Sequence, residues 1–317
     1  MNISHIAVLG AGIMGANIAL HFARHGLAVT LHDPSSSVRD GLKSRLEDTL
    51  SILSDLGMVD AKDHVSILNR LTICDRWEAA VESADFIMEA APEALELKQK
   101  IFADLAKVAR KEAILATNTS TLELSRIIAG LDVDRAGRSM VCHWYNPAHL
   151  IPLVELSDYG NLQADVLPAV EALFKKTGNQ TIRVKKEVPG LVANRIQQGL
   201  AREVFALMNS GIASAEDIDR AVRYGPAFRY AAAGQLEIAD FGGLDIWKLA
   251  GDSLLPEIDA SQSASSLLAE KVQAGMLGTK SGEGFFKYDD HGQAATRSFH
   301  RRLSIQLKAS QEMSEED

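Results

Sequence analysis

A short apolar run, His5–Gly10, passes directly into Gly10-Ala11-Gly12-Ile13-Met14-Gly15 and then into a helical pattern that reaches about His25. A strand that turns on glycine and at once opens a helix predicts a parallel strand–helix–strand unit, because a parallel neighbour is reached only by a crossover. Gly10 permits the tight turn, Gly12 lets a ligand approach the backbone, and Gly15 lets helix and strand pack closely. The next apolar run, Ala28–Asp33, ends in an acid. A lone glycine-rich turn is a weak signal; with strand, helix and acid in place it predicts a cradle for a dinucleotide pyrophosphate at the helix N-terminus. Asp33 would accept ribose hydroxyls and repel a 2′-phosphate, and no arginine follows before Arg39, so NAD is expected over NADP. The bland reading of Asp33 is an exposed strand-end aspartate.

Further apolar runs at Leu71–Cys74, Ala84–Ala90, Ala113–Thr117, Met140–Tyr145, Ile151–Leu156 and Thr181–Val184 read as strands. Helical patterns lie between several of them, such as Ala94–Ala109 with its stripe of Leu95, Leu97, Ile101, Phe102 and Leu105. This alternation predicts an α/β fold, a mainly parallel sheet with helices on both faces. Ser35–Arg70 is longer than a simple crossover and reads as a helical insertion. Only residues 146–150 separate two of the later runs, too few for a parallel connection, so that pair is expected to be antiparallel.

From Val188 the pattern turns helical. Pro189 can open a helix, and Leu191, Ile196, Leu200, Val204, Leu207 and Met208 recur at helical spacing, with glycine joints beyond. The expected organisation is an N-terminal Rossmann domain with a helical insertion over residues 1–187, followed by an all-α C-terminal domain over 188–317. Ser314–Asp317 reads as a frayed end.

The 317 residues suit two moderate domains, and the net charge of −9 with no long basic run argues against a nucleic-acid partner. No stretch approaches the roughly 18 apolar residues of a membrane span. Residues 1–15, broken by glycines, read as strand and turn and not as a leader. The two cysteines, Cys74 and Cys142, lie in no metal-type spacing; no metal is expected, and a reducing, cytoplasmic setting fits them best.

His143 ends one strand of the antiparallel pair and Glu155 lies on the other. A histidine that accepts a hydroxyl proton gains from a carboxylate on its second ring nitrogen, which fixes the tautomer and stabilises the imidazolium. On pattern alone a structural histidine is as good a reading as a catalytic one. However, His143-Trp144-Tyr145-Asn146-Pro147 followed by Ile151-Pro152-Leu153-Val154-Glu155 resembles the signature of the L-3-hydroxyacyl-CoA dehydrogenase superfamily. Asn118-Thr119-Ser120, residues 189–195 and residues 280–285 continue the resemblance in order. The resemblance implies His143 as general base, oriented by Glu155, with Ser120 and Asn194 on the reacting oxygen or the substrate. It implies further cofactor contacts at Ala90, Glu93, Lys98, Ser120, Asn146 and Lys280, and a homodimer through the C-terminal helices. The Leu191–Met208 stripe permits that dimer and fits an intradomain core equally.

Two segments depart from the acyl-CoA enzymes. Their insertion is lysine-rich and meets the CoA nucleotide; here residues 41–56 hold Lys43 and Arg45 early, and only acids later. Residues 224–234 resemble the L-gulonate dehydrogenase (lambda-crystallin) and carnitine dehydrogenase branch, although Gln235 stands where that branch has proline. Arg229 within this segment is expected to clamp a substrate carboxylate, against the plain reading of a surface arginine in a salt bridge. The chain is therefore expected to be an NAD-dependent dehydrogenase of a small 3-hydroxy acid or similar polar alcohol. A 3-hydroxyacyl-CoA dehydrogenase, an enzyme of hydroxylated or aldehyde-bearing aromatic acids, and a non-catalytic NAD-binding structural protein are the alternatives.

Overall fold

A computed structural model describes residues 2–316. Contacts divide the chain into two units, 1–192 and 193–317.

The first unit holds one eight-stranded sheet: β1 (His5–Leu9), β2 (Ala28–His32), β3 (Leu71–Ile73), β4 (Phe86–Glu89), β5 (Ile114–Thr117), β6 (Ser139–Trp144), β7 (Leu153–Ser157) and β8 (Gln180–Val184). Their spatial order is β3-β2-β1-β4-β5-β6-β7-β8. Neighbours run parallel except β6 and β7, which pair antiparallel with His143 opposite Glu155. All eight strands fall on the apolar runs; β4 and β5, central and buried at every position, are near-continuously apolar, whereas the edge strands β3 and β8 are only partly buried. On one face Ala7, Leu9, Ile87 and Leu115 pack with Phe102 and Leu105 of the helix Leu95–Val108. Elsewhere in the unit Phe22, Phe86, Trp144 and Phe174 form a buried aromatic cluster, with ring centroids 5.3 Å apart for Trp144 and Phe174.

The insertion after β2 is helical over Ser36–Asp40, Leu42–Asp55 and His64–Leu68. Leu42, Leu46, Leu50 and Leu53 recur every three or four residues, so one stripe of Leu42–Asp55 is buried and its charges face outward.

The second unit is helical, with Ala193–Asn209, Ala215–Tyr224, Pro226–Tyr230, Gln235–Gly242, Leu244–Leu254, Ser266–Gln273 and Gln293–Glu316. Two expectations are corrected here. Pro189 does not open a helix: residues 189–192 form a turn in which Leu191 adopts a positive φ of 47°, and the helix starts at Ala193. The C-terminal helix runs to Glu316 where fraying was expected, and Asp317 lies outside the described residues. Among the described residues after Val192, Ile218 and Ile238 are the buried apolar side chains, while Ile196 is 69% exposed. No residue of Ala193–Asn209 is fully buried, although Phe205 on that helix stacks on Phe285 of the same unit with ring centroids 5.7 Å apart.

Candidate active site

The carboxyl ends of the parallel strands carry the site, as expected for an open α/β sheet. At the end of β1, Gly10 has φ 97°, and a Cβ there would lie 2.6 Å from the Ala90 carbonyl oxygen. A Cβ on Gly15 would run into the Gly10 carbonyl, so helix Ile13–Arg24 lies against the turn only because that position is bare. A Cβ on Gly12 would meet nothing within 4 Å, and no side chain caps the helix. Open space, uncapped N–H groups and a positive dipole end fit a pyrophosphate. Ile13 is exposed and Met14 half-buried in the same turn.

Asp33, just past β2, accepts the Ala11 N–H on Oδ2 at 2.8 Å and the Ser35 N–H on Oδ1 at 3.0 Å. It thus fixes the glycine turn as well as offering charge at the end of β2. Arg39 donates to the Asp33 and Pro34 carbonyls at 2.6 and 3.1 Å and pairs with Asp75 at 3.4 Å.

A second cluster joins the ends of β4 and β5. Glu89, fully buried, accepts from Lys98 Nζ at 2.7 and 2.9 Å, from Thr117 Oγ1 at 2.5 Å and from the Ala91 N–H at 2.6 Å. Glu93 accepts the Ser120 and Thr121 N–H groups at 3.0 and 2.9 Å and the Thr119 and Thr121 hydroxyls at 2.7 and 2.9 Å. Burial alone would raise the Glu93 carboxyl, but those donors and the Lys98 cation outweigh it and hold it down at about 2. Lys98 itself is buried and lies between the two carboxylates, 3.5 Å from Glu93. Ser120 is held on both sides, since its carbonyl accepts the Gly190 N–H at 2.8 Å.

The third cluster is His143 and Glu155. Nδ1 of His143 lies 2.7 Å from Oε2 of Glu155, and Oε1 of Glu155 accepts the Val192 N–H at 2.9 Å. Both side chains are buried, and a carboxylate there makes Nδ1–H the donor and leaves Nε2 as the base. Tyr145 presents its ring edge-on to His143, and burial, then the Glu155 charge, raises its phenol. Asn118, just beyond β5, accepts the Trp144 N–H on its side chain at 2.8 Å while its own N–H reaches the Glu89 carbonyl, which ties the strand ends together.

Gly10, Ala11, Gly12, Ile13, Met14, Gly15, Asp33 and Ala90 thus gather at one turn, Glu93, Lys98 and Ser120 at a second, and His143 with Glu155 at a third. Asn146 is exposed beside a cis bond to Pro147. Asn194 opens the first helix of the second unit, and Arg229 and Lys280 are exposed within that unit. Sequence reasoning missed Glu89, and it held Asn118 and Tyr145 only as members of motifs, with no role assigned to either. A glutamate ending an otherwise apolar buried strand was the available signal for Glu89.

Residues 5–188 match the NAD binding domain of 3-hydroxyacyl-CoA dehydrogenase, and residues 190–288 match its C-terminal domain. The chain belongs to the 3-hydroxyacyl-CoA dehydrogenase family. As a member it is an NAD-dependent oxidoreductase. It is 35% identical to the lambda-crystallin homolog of Homo sapiens, over 73% of this chain and 72% of that one. To an L-carnitine dehydrogenase of a Pseudomonas species it is 33% identical, over 73% and 71%. It is also 29% identical to the 5-formyl-3-hydroxy-2-methylpyridine 4-carboxylate 5-dehydrogenase of Mesorhizobium japonicum, over 96% of this chain and 97% of that one. A crystal structure of an enzyme with that activity, described as an NAD+-dependent dismutase, superposes with a TM-score of 0.87 at 28% identity, covering 98% and 99% of the two chains.

Proposed function

We propose that the chain oxidises the secondary alcohol of a small free 3-hydroxy acid to the ketone, with His143 as general base. The 2.7 Å contact between His143 and Glu155 carries this reading. NAD, when bound, supplies the hydride acceptor. Nε2 of His143 takes the hydroxyl proton as the carbinol carbon loses hydride, and Glu155 stabilises the imidazolium that results. Ser120, whose backbone is fixed by Glu93 and Gly190, offers its hydroxyl to the reacting oxygen, and Asn194 its amide. Lys98 supports the cofactor side through Glu93, and Asn146 and Lys280 complete the cofactor contacts.

Charge accounting favours a free acid over a CoA thioester. In helix Leu42–Asp55 the bases are Lys43 and Arg45; Lys43 stands 4.0 Å from Glu47, and Arg45 donates to the Ala11 carbonyl at 2.8 Å. Glu47, Asp48 and Asp55 on the same helix would face the CoA phosphates with little to offset them. Arg229 is exposed and makes no ion pair among the described residues, so it is available to clamp a substrate carboxylate.

A second reading, an aldehyde-bearing or hydroxylated aromatic acid, is favoured by one observation. The likeness to the pyridine carboxylate dehydrogenase spans nearly the whole of both chains, whereas the carnitine and lambda-crystallin relatives match under three quarters. A purely structural NAD-binding role is disfavoured by the intact His143–Glu155 pair. Apolar side chains that are exposed on the second unit, including Leu236 at 83% and Phe241 at 78%, support a homodimer through its helices. The free thiols of Cys74 and Cys142 support a cytoplasmic setting.

The test is NADH formation at alkaline pH with aliphatic 3-hydroxy acids, carnitine-like alcohols, formyl- and hydroxymethyl-pyridine carboxylates and 3-hydroxyacyl-CoAs. Turnover confined to free aliphatic acids supports the first reading. Preference for the pyridines selects the second, and preference for the thioesters overturns both.

A further inference from the structure

We propose that Arg45 is a cofactor-binding residue: the cation that closes the glycine turn over the pyrophosphate of the dinucleotide. Arg45 lies in the insertion, on a helix held down by Leu42, Leu46, Leu50 and Leu53, so its backbone is fixed by a buried stripe. Its Nη2 donates to the Ala11 carbonyl at 2.8 Å. The N–H of the same residue, Ala11, goes to Asp33. The middle of the glycine turn is therefore gripped from both sides, by an acid from one strand end and a base from the insertion.

A guanidinium has five N–H donors in a rigid fork. The bond to Ala11 uses one, and Arg45 makes no ion pair among the described residues. Its full charge and remaining donors are thus anchored at Ala11, one residue before Gly12, whose own face is open, and two before the uncapped helix Ile13–Arg24. The neighbouring cations are committed elsewhere. Arg39 is spent on two carbonyls and Asp75, and Lys43 lies near Glu47. A pyrophosphate carries two negative charges, and a helix N-terminus supplies only about half a positive one. In a chain of net charge −9 the remainder needs a side chain, and Arg45 is the one the turn presents. On this reading the insertion serves the cofactor and not the substrate.

The experiment is isothermal titration calorimetry of ADP-ribose, which has the pyrophosphate but no nicotinamide, against the parent protein and Arg45→Ala at several salt concentrations. It requires no substrate, so its outcome is independent of which alcohol is oxidised. Arg45→Ala should bind ADP-ribose about tenfold or more weakly, and its affinity should fall less steeply with salt than that of the parent, because one screened charge has gone. Affinity within about twofold of the parent, or an unchanged salt slope, would overturn the proposal. The second result would leave Arg45 as a brace for the turn.

Discussion

His143 and Glu155 are direct partners across the seam between β6 and β7, and the same carboxylate that holds the imidazole also accepts the Val192 N–H. The imidazole is thereby fixed at two removes: by its partner, and by what fixes the partner.

His143→Ala should lower kcat by about 10²–10⁴ while leaving NAD affinity near that of the parent. Glu155→Gln keeps the shape but loses the charge that stabilises imidazolium, so kcat should fall within the same range. Steady-state kinetics beside NAD titration would check this; a loss of NAD binding equal to the loss of kcat would refute the role.

Two glycines five residues or fewer into the turn should respond in opposite ways to the same methyl group. Gly12→Ala meets no protein atom, so the unfolding midpoint should stay put while NAD binding weakens at least about tenfold. Gly15→Ala drives into the Gly10 carbonyl and should destabilise the fold, towards the upper end of about 1–3 kcal/mol. Denaturant melts and cofactor titrations of the two variants separate the outcomes.

Lys98→Met leaves the Glu89 carboxylate buried without its cation, which should destabilise by about 3–5 kcal/mol. Adding Glu89→Gln should restore most of that loss, since the fully buried charge is then gone and Glu93, partly exposed, keeps its donors from Thr119, Ser120 and Thr121. A double variant no more stable than the single one would show that the pair matters for shape alone.

Burial, then the neighbouring charges of His25 and Arg24, holds His21 well below the ordinary value of 6.5. The unfolded chain takes up this proton at a higher pH than the folded chain does. Stability from this site is thus complete above about pH 6.5 and declines as the pH falls below it. His21→Gln should flatten that decline, as read from urea midpoints at about pH 7.5 and about pH 5.5.

Arg229→Ala should raise KM for the acid substrate about tenfold or more and leave KM for NAD nearly unchanged. Equal effects on both constants would rule out the clamp.

All eight strands could be read from sequence because each is an apolar run, and the short 146–150 connection betrayed the one reversal of direction among them. The His143–Glu155 pair was visible for the same reason: strand pairing converts spacing into contact. What stayed hidden depends on side chains reaching between elements. The bond from Arg45 to Ala11 spans 34 positions, and no periodicity encodes it. Glu89 and Lys98 bury a charge pair where hydropathy predicts only apolar residues. Leu191 takes a left-handed backbone conformation and packs with Leu124, Val141 and Val184, and this delays the helix that Pro189 appeared to announce.

The hairpin between β6 and β7 gives the chemistry a parity. Side chains alternate across a strand, so adding or deleting a single residue in 145–152 could slide β7 by one place and send the carboxylate through to the far surface of the sheet. The sheet could tolerate such a slip with modest repair, but the imidazole would lose its acid outright. Length variation in this connection should therefore come in steps of two or not at all, wherever turnover is retained.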